Sequence, residues 1–117
     1  MGQNSNESSS RLSGFYKLPI EERLDIVAEF AGLDEEEKEM LVGRGLDAWQ
    51  ADLMIENTLG TFELPLGVAV NFLVNDKDYL VPMAVEEPSV LAAVSHAAKL
   101  FRAGGGFTAQ ATEPVMI

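Results

Sequence analysis

The chain has 117 residues, none of them cysteine, and 47% of them are hydrophobic. This is the length of one ordinary domain, which buries roughly two thirds of the surface that its unfolded chain exposes. The formal net charge of -11 argues against nucleic acid or an anionic membrane surface as a partner, because both need clustered Lys and Arg and the eight here are scattered. The lack of cysteine excludes a disulfide framework, a thiolate nucleophile and a Cys-based metal site, and it fits a reducing cytosol.

The amino terminus, residues 1–13, is predicted to be a disordered tail. Its first ten residues, MGQNSNESSS, have neither the basic start nor the apolar stretch of a signal peptide. No apolar run elsewhere approaches the roughly 20 residues needed to span a bilayer. We therefore expect a cytoplasmic protein without a membrane partner.

Residues 14–57 are predicted to form a helical region. Pro19 suits the first position of a helix, apolar residues follow it at helical spacing, and Gly32 ends it. Asp34 and Glu37 have the spacing of a capping box, in which each side chain accepts a hydrogen bond from the other residue's backbone. A short second helix should therefore begin there, with its acidic run solvated at the helix start and not binding a metal.

A second capping-box pattern, formed by Asp47 and Gln50, predicts a third helix over residues 48–57. Trp49 and Leu53 are the large apolar residues of this segment. We expect both to lie in the core.

The period of the apolar residues then changes from helical to alternating. Residues 68–74 and 79–85 both alternate as half-buried strands require, and the polar residues 75–78 separate them. The simplest structure is a hairpin whose second strand runs directly into Glu86 and Glu87.

Pro88 closes the second strand and is predicted to start a long helix, which Gly104, Gly105 and Gly106 end. The apolar residues cover most of its circumference: Val90, Leu91, Ala93, Val94, Ala97, Ala98, Leu100 and Phe101. A face that wide implies burial between layers or against a second subunit. The elements together predict an α+β fold of short amino-terminal helices, a β-hairpin and a long buried helix.

The acidic junction between strand and helix is the part of the chain best suited to chemistry. Glu86, Glu87 and Ser89 stand where two elements fix their position and where polar ligands are commonly bound. By spacing alone, an alternative is at least as well supported: Glu87 caps the helix and Glu86 is solvated. His96 and Lys99, on the polar side of the helix, are expected to be surface residues.

Three strings of the sequence carry a resemblance to a known family. SRLSGFYKL, MIENTLGTFELPLGVAVNF and YLVPMAVEEPSVLAAVSHAAKLFRAGGGFT occur in this order. In these strings the chain resembles the class II hydroxymethylglutaryl-CoA (HMG-CoA) reductases, and the resemblance extends over most of its length. It implies that residues 58–117 are the start of the family's large, substrate-binding domain, truncated at the carboxyl terminus.

The resemblance also implies roles for five residues. Glu87, the second glutamate of the EEPS string, matches a catalytic acid, and Ser89 matches the serine that holds the carboxylate end of the hydroxymethylglutaryl group. Glu56, Asn57 and Gly60 match an ENxxG string that lies close to the substrate thioester and the coenzyme A arm. Such placement suits thioester reduction, which creates an oxyanion in need of a proton or positive charge.

By the same resemblance, the expected activity is the interconversion of HMG-CoA with mevalonate and CoA, using NADH or NADPH, in isoprenoid metabolism. The family's catalytic lysine, aspartate and histidine and its nicotinamide-binding domain have no counterpart in this chain, so the isolated chain is expected to be inactive. A homodimer is implied for the complete enzyme. The apolar residues 114–117 are predicted to be a strand cut off as it enters a sheet. The alternative is a stand-alone, non-catalytic module that binds a CoA thioester or mediates dimerisation.

Overall fold

The computed structural model describes residues 9–43 and 45–113, which divide into two compact units. The helical unit is Gly14–Pro65, and the hairpin unit combines the segment up to Ser13 with the chain from Leu66 onward. The predicted division fell between residues 57 and 58, whereas the compact units divide at Pro65. Within the described residues, no helix is both long and apolar enough to cross a membrane.

The helical unit contains a 3₁₀ turn and three α-helices: Phe15–Lys17, α1 (Ile20–Ala31), α2 (Glu35–Gly43) and α3 (Ala48–Asp52). The first two helices confirm the prediction, since Gly32 ends α1 with a φ of 70°. At the start of α2, the backbone N–H groups of Asp34 and Glu37 each donate to the other residue's carboxylate at 2.9 Å. The predicted capping box therefore forms.

Helix α3 corrects the prediction in length and in burial. Its capping box is present, but the helix ends at Asp52 and turns follow. Leu53 N and Met54 N donate to carbonyls three residues back, those of Gln50 and Ala51, as in the tightened last turn of a helix. The side chains of Trp49 and Leu53 are 71% and 70% exposed, so their prediction as core residues is wrong. Ala51 is the buried residue of this short helix.

The hairpin unit is built on β1 (Leu66–Val74) and β2 (Lys77–Ala84), which pair antiparallel as predicted. The turn is only two residues long, Asn75 and Asp76, with φ values of 50° and 63°. Two successive positive φ angles are the signature of a type I′ hairpin turn, which Asn and Asp tolerate. The second strand was predicted to end at Val85, directly before Glu86. It ends one residue earlier, at Ala84, which pairs with Leu66, the first residue of β1.

A β-bulge interrupts β1 between Ala69 and Phe72. Two residues of β1, Val70 and Asn71, stand opposite a single residue of β2. Asn71 has a φ of 72°, the left-handed conformation that bulges of this kind require.

The long helix, α4 (Val90–Ala103), packs on β1. Its amino-terminal cap is Ser89, so Pro88 lies in the preceding turn and not in the first helical turn. The helix is buried along one stripe, where Ala98 is 1% exposed, whereas Leu100 and Phe101 are exposed. The expected α+β class is confirmed, and the exposed apolar residues of α4 leave its burial against a second subunit as a prediction.

The segment before the helical unit also belongs to the hairpin unit. Ser10 is completely buried: its backbone N–H donates to Asp78 at 2.7 Å, and its carbonyl accepts from Asn71 N at 2.9 Å. These bonds fix the backbone, so the prediction of a disordered tail is wrong for Ser10. The predictions for residues 1–8 and for the strand over residues 114–117 lie outside the described residues.

The chain after α4 returns to the start of the hairpin turn. Phe107 N donates to Leu73 O at 2.8 Å, and Asn75 N donates to Phe107 O at 2.9 Å. Gly106 makes this approach possible, because a Cβ at that position would collide with the carbonyl oxygen of Leu73.

Candidate active site

The predicted site residues fall on two turns, one in each compact unit. Residues 86–89 form the acid–serine turn of the hairpin unit, between β2 and α4. Residues 56–60 form the ENTLG turn of the helical unit, after α3. The structure thus brings Glu87 and Ser89 together on one turn and groups the other three predicted residues on another.

All three polar residues of the acid–serine turn, Glu86, Glu87 and Ser89, are exposed. Ser89 occupies the cap position of α4, and its carbonyl accepts from Ala93 N at 2.8 Å. Its hydroxyl makes no capping hydrogen bond within the described residues. The cap position belongs to Ser89 and not to Glu87, so the alternative in which Glu87 caps the helix is wrong.

Ser89 has an unusual backbone conformation for a helix cap. Serine caps are normally extended, and from there the hydroxyl accepts a hydrogen bond from the second or third helical N–H. The φ of Ser89 is instead 73°, in the left-handed region. A non-glycine residue held there costs on the order of 1 kcal/mol or more, and such residues cluster at ligand-binding sites.

The charges around this turn oppose one another. The 14-residue helix α4 presents the positive end of its dipole and its unpaired N–H groups at Ser89, which favours a bound anion. Glu86 and Glu87 add negative charge within three residues of the same point. A ligand carboxylate is therefore best placed against Ser89 and the helix end, with the glutamates facing a less charged part of the ligand.

The ENTLG turn is held by a threonine whose role the sequence did not reveal. Thr58 Oγ1 lies 2.9 Å from the carbonyl oxygen of Ile55 and 3.2 Å from that of Ala51, so its hydroxyl can donate to either. This ties the turn to α3 while Asn57 takes a left-handed φ of 58°. The side chains of Glu56 and Asn57 are left exposed.

Gly60 has no local requirement for glycine among the described residues. A Cβ built there would meet no atom within 4 Å, and its φ is outside the left-handed region. The residue therefore tolerates a side chain as far as the fold is concerned.

Several residues that organise the hairpin unit were not found from the sequence. Arg102 makes a bidentate ion pair with Asp78, Nη1 to Oδ1 at 2.7 Å and Nη2 to Oδ2 at 3.2 Å. Ser10 Oγ lies 2.6 Å from the same Oδ1. No short-range pattern joins residues this far apart in sequence. Asn71 did carry a signal, as a polar residue inside an apolar strand.

The other polar residues of α4 agree with the prediction. His96 and Lys99 are exposed on the helix surface. Among the described residues, no three His, Asp or Glu side chains are grouped closely enough to hold a metal ion.

Comparison with known proteins places these turns in context. The sequence model of the hydroxymethylglutaryl-coenzyme A reductase family matches residues 19–117. A 3-hydroxy-3-methylglutaryl-coenzyme A reductase of Archaeoglobus fulgidus is 61% identical over 109 residues, which cover 93% of this chain and 25% of that protein.

Solved structures of the class II reductase from Streptococcus pneumoniae are similar as well. One superimposes with a TM-score of 0.76 at 40% identity, covering 84% of this chain and 24% of the other. A second, bound to NADPH in open conformations, gives the same TM-score at 41% identity and covers 27% of that chain. The chain thus spans about a quarter of the length of each of these three relatives.

Proposed function

The chain belongs to the hydroxymethylglutaryl-coenzyme A reductase family, and from that premise we propose that it supplies part of the active site of an enzyme interconverting HMG-CoA with mevalonate and CoA. The observation that carries the proposal is the acid–serine turn. It presents an exposed acid and a strained, uncapped serine hydroxyl together at the positive end of a 14-residue helix.

In the proposed reaction, two hydrides and two protons convert the thioester, through a hemithioacetal and an aldehyde, into the alcohol of mevalonate with release of CoA. NADH or NADPH supplies the hydrides when bound. Glu87 donates a proton to the oxygen that becomes negative as hydride arrives. Such proton transfer from a positioned side chain typically contributes about 10²–10⁴-fold to the rate.

Ser89 holds the carboxylate end of the hydroxymethylglutaryl group in this proposal. Its hydroxyl donates one hydrogen bond, and the N–H groups at the start of α4 supply the field that stabilises the anion. The left-handed backbone of Ser89 keeps the hydroxyl from being consumed in capping its own helix. Glu56, Asn57 and Gly60 line the approach of the thioester and the coenzyme A arm.

The proposal includes a homodimer and a cytoplasmic location. Leu100 and Phe101 on the outer side of α4 are exposed, and a second subunit that covered them would bury apolar surface. Because the family's remaining catalytic groups have no counterpart here, the chain alone is proposed to be inactive. The alternative remains a non-catalytic module that binds a CoA thioester or mediates dimerisation.

The direct test is an assay of the full-length protein for HMG-CoA-dependent oxidation of NADH and of NADPH, with mevalonate identified as the product. Oxidation that requires HMG-CoA supports the reductase. If calorimetry shows binding of HMG-CoA but no nicotinamide is oxidised, the reductase proposal fails and the non-catalytic binding module takes its place.

Substitution of Ser89 by glycine tests the substrate-holding role. Gly accepts the left-handed φ without strain, so the melting temperature of Ser89→Gly should stay the same or rise. The KM for HMG-CoA should rise about tenfold or more, because a hydrogen bond to a charged group contributes about 1.5–3 kcal/mol. An unchanged KM removes Ser89 from the substrate site.

A further inference from the structure

Helix α4 meets the hairpin along a single stripe of its surface. The stripe consists of Leu91, Ser95, Ala98 and Arg102, spaced four, three and four residues apart so that they lie on one face. Ala98 is buried at its centre. Helix and sheet are thus in contact over the whole length from Leu91 to Arg102.

The contact at Leu91 is apolar and close. Its side chain lies over Gly67, where an added Cβ would overlap Leu91 Cδ1. Apolar contacts of this kind are non-directional, so this one holds the helix against the sheet without fixing how far it slides or rotates.

The contact at Ser95 is polar and specific. Ser95 Oγ accepts from the backbone N–H of Val70 at 3.1 Å, and the Ser95 carbonyl accepts from the side-chain amide of Asn71 at 3.0 Å. Both partners are in the bulge of β1. Hydrogen bonds weaken steeply as their angles depart from linearity, so this pair fixes the helix in one register on the strand.

The bulge explains why these residue types are needed. Asn71 takes a left-handed φ of 72°, which few residues besides Gly and Asn accept readily. Among those two, only Asn carries an amide that can reach the Ser95 carbonyl. In turn, Ser95 supplies the acceptor for the half-buried N–H of Val70.

Among the described residues, the hydrogen bonds of Ser95 are the polar contacts between α4 and the hairpin that lie nearest to the acid–serine turn. It stands six residues after Ser89, about 9 Å along the helix axis at 1.5 Å per residue. The ion pair of Arg102 with Asp78 lies about 20 Å from Ser89 on the same scale, so by itself it would leave the start of the helix free to pivot.

We propose that Asn71 and Ser95 are positioning residues that set the place of Glu87 and Ser89 for substrate, by locking α4 to the bulge of β1. The expected effect on kinetics rests on the proposed function. The fixed position of α4 on β1 rests on the hydrogen bonds of the bulge alone. A displacement of about 1 Å at reacting groups is enough to cost about 10²-fold in rate.

The test uses Asn71→Gly in the full-length protein with Asn75→Gly as the matched control. Both asparagines have positive φ and hydrogen-bonding amides, but the side-chain hydrogen bonds of Asn75 join it to Ala109, whereas that of Asn71 joins it to α4. Glycine keeps the backbone conformation at both sites and removes only the side-chain hydrogen bonds. The two variants should therefore have similar melting temperatures.

Kinetics should separate the two variants. For Asn71→Gly, kcat/KM for HMG-CoA should fall about 10- to 100-fold, while Asn75→Gly should stay within about threefold of the wild type. Ser95→Ala should resemble Asn71→Gly, and Ser95→Thr, which retains the hydroxyl, should recover most of the loss. Equal effects of Asn71→Gly and Asn75→Gly would overturn the assignment, as would failure of Ser95→Thr to recover.

Hydrogen exchange decides the structural consequence without any assay of activity. Amides of residues 93–97, the first in α4 with helical hydrogen-bond acceptors, should exchange at least about tenfold faster in Asn71→Gly and unchanged in Asn75→Gly. Unchanged exchange there in Asn71→Gly overturns the assignment. A wild-type protein without reductase activity would contradict the proposed function. The exchange result would still show whether Asn71 and Ser95 hold α4 on the bulge of β1.

Discussion

Asp78 shows how one carboxylate can join three parts of the hairpin unit. Its Oδ1 accepts from the backbone and is within hydrogen-bond reach of the hydroxyl of Ser10, and both its oxygens pair with Arg102. The Arg102 hydrogen bonds, assisted by those from Ser10 and opposed by partial burial, lower the pKa of Asp78 from 3.8 to about 2. The ionised form is therefore favoured by the folded state.

A pH-dependent contribution to stability follows from that shift. Because the folded-state pKa is the lower one, the stabilisation is complete above the unfolded-state value of 3.8 and is lost as the pH falls towards about 2. The shift corresponds to about 2 kcal/mol. Asp78→Asn should lower the free energy of unfolding by about this amount at pH 7, measured by urea titration, and by much less at pH 2.

Asp76→Asn is the matched control for this measurement, because Asp76 is exposed in the hairpin turn and Asn accepts its positive φ. It should change the free energy of unfolding by less than about 0.5 kcal/mol at either pH. A pH-independent effect of Asp78→Asn would contradict the ion-pair explanation.

Gly60 allows a residue-scale test of the ENTLG turn. The fold has room for a Cβ at this position, so Gly60→Ala should leave the melting temperature unchanged or slightly raised. If the thioester and coenzyme A arm approach this turn as proposed, the added methyl group should raise the KM for HMG-CoA severalfold. Calorimetry with coenzyme A alone gives the same comparison without turnover, and equal affinity of the variant and the wild type would remove Gly60 from the site.

At the scale of secondary-structure elements, local rules predicted what local interactions determine. The capping boxes at Asp34 and Asp47 and the stop at Gly32 all formed, because each depends on residues within one helical turn. The hairpin was predicted from alternation, but its bulge was not. A bulge at Asn71 depends on Ser10 and Ser95, which are distant in sequence.

The glycines after α4 are a second case in which a contact distant in sequence decides a residue's role, and they offer a test. Gly105 and Gly106 both have positive φ, but only at Gly106 does an added Cβ collide with the backbone of β1. Gly105→Ala should cost about 1–2 kcal/mol from backbone strain alone. Gly106→Ala should cost about 2 kcal/mol more, because Phe107 then cannot keep its hydrogen bond to Leu73.

Chemical denaturation of the two glycine variants measures that difference directly. Equal free energies of unfolding would mean that the close approach of Gly106 to β1 contributes nothing to stability. A lower stability of Gly105→Ala than of Gly106→Ala would contradict the account outright.

At the scale of the whole molecule, the chain consists of two compact units, each carrying one of the predicted site turns. Burial was the least predictable property at this scale. Trp49 and Leu53 have the composition and spacing of core residues, yet they are exposed, since periodicity marks an apolar face but not what covers it. The positions of Glu87 and Ser89 at a junction were predictable, whereas the left-handed backbone of Ser89 was not.

The relation of these turns to catalysis is the central claim for the whole protein. Glu87 and Glu86 are adjacent, exposed and identical in chemistry, so substitution of each by glutamine removes the same charge from the same turn. Only Glu87 is assigned the proton transfer. A purely electrostatic effect of the acid pair would therefore alter both variants, whereas loss of the catalytic acid would alter one.

Steady-state kinetics of Glu87→Gln in the full-length enzyme, beside Glu86→Gln, tests this claim most directly. We predict that kcat for HMG-CoA reduction falls about 100-fold or more in Glu87→Gln with KM within a few-fold of the wild type, because the amide keeps the shape of the carboxyl group and loses its proton. Glu86→Gln should retain most of its kcat. A kcat for Glu87→Gln equal to that of the wild type would contradict the account.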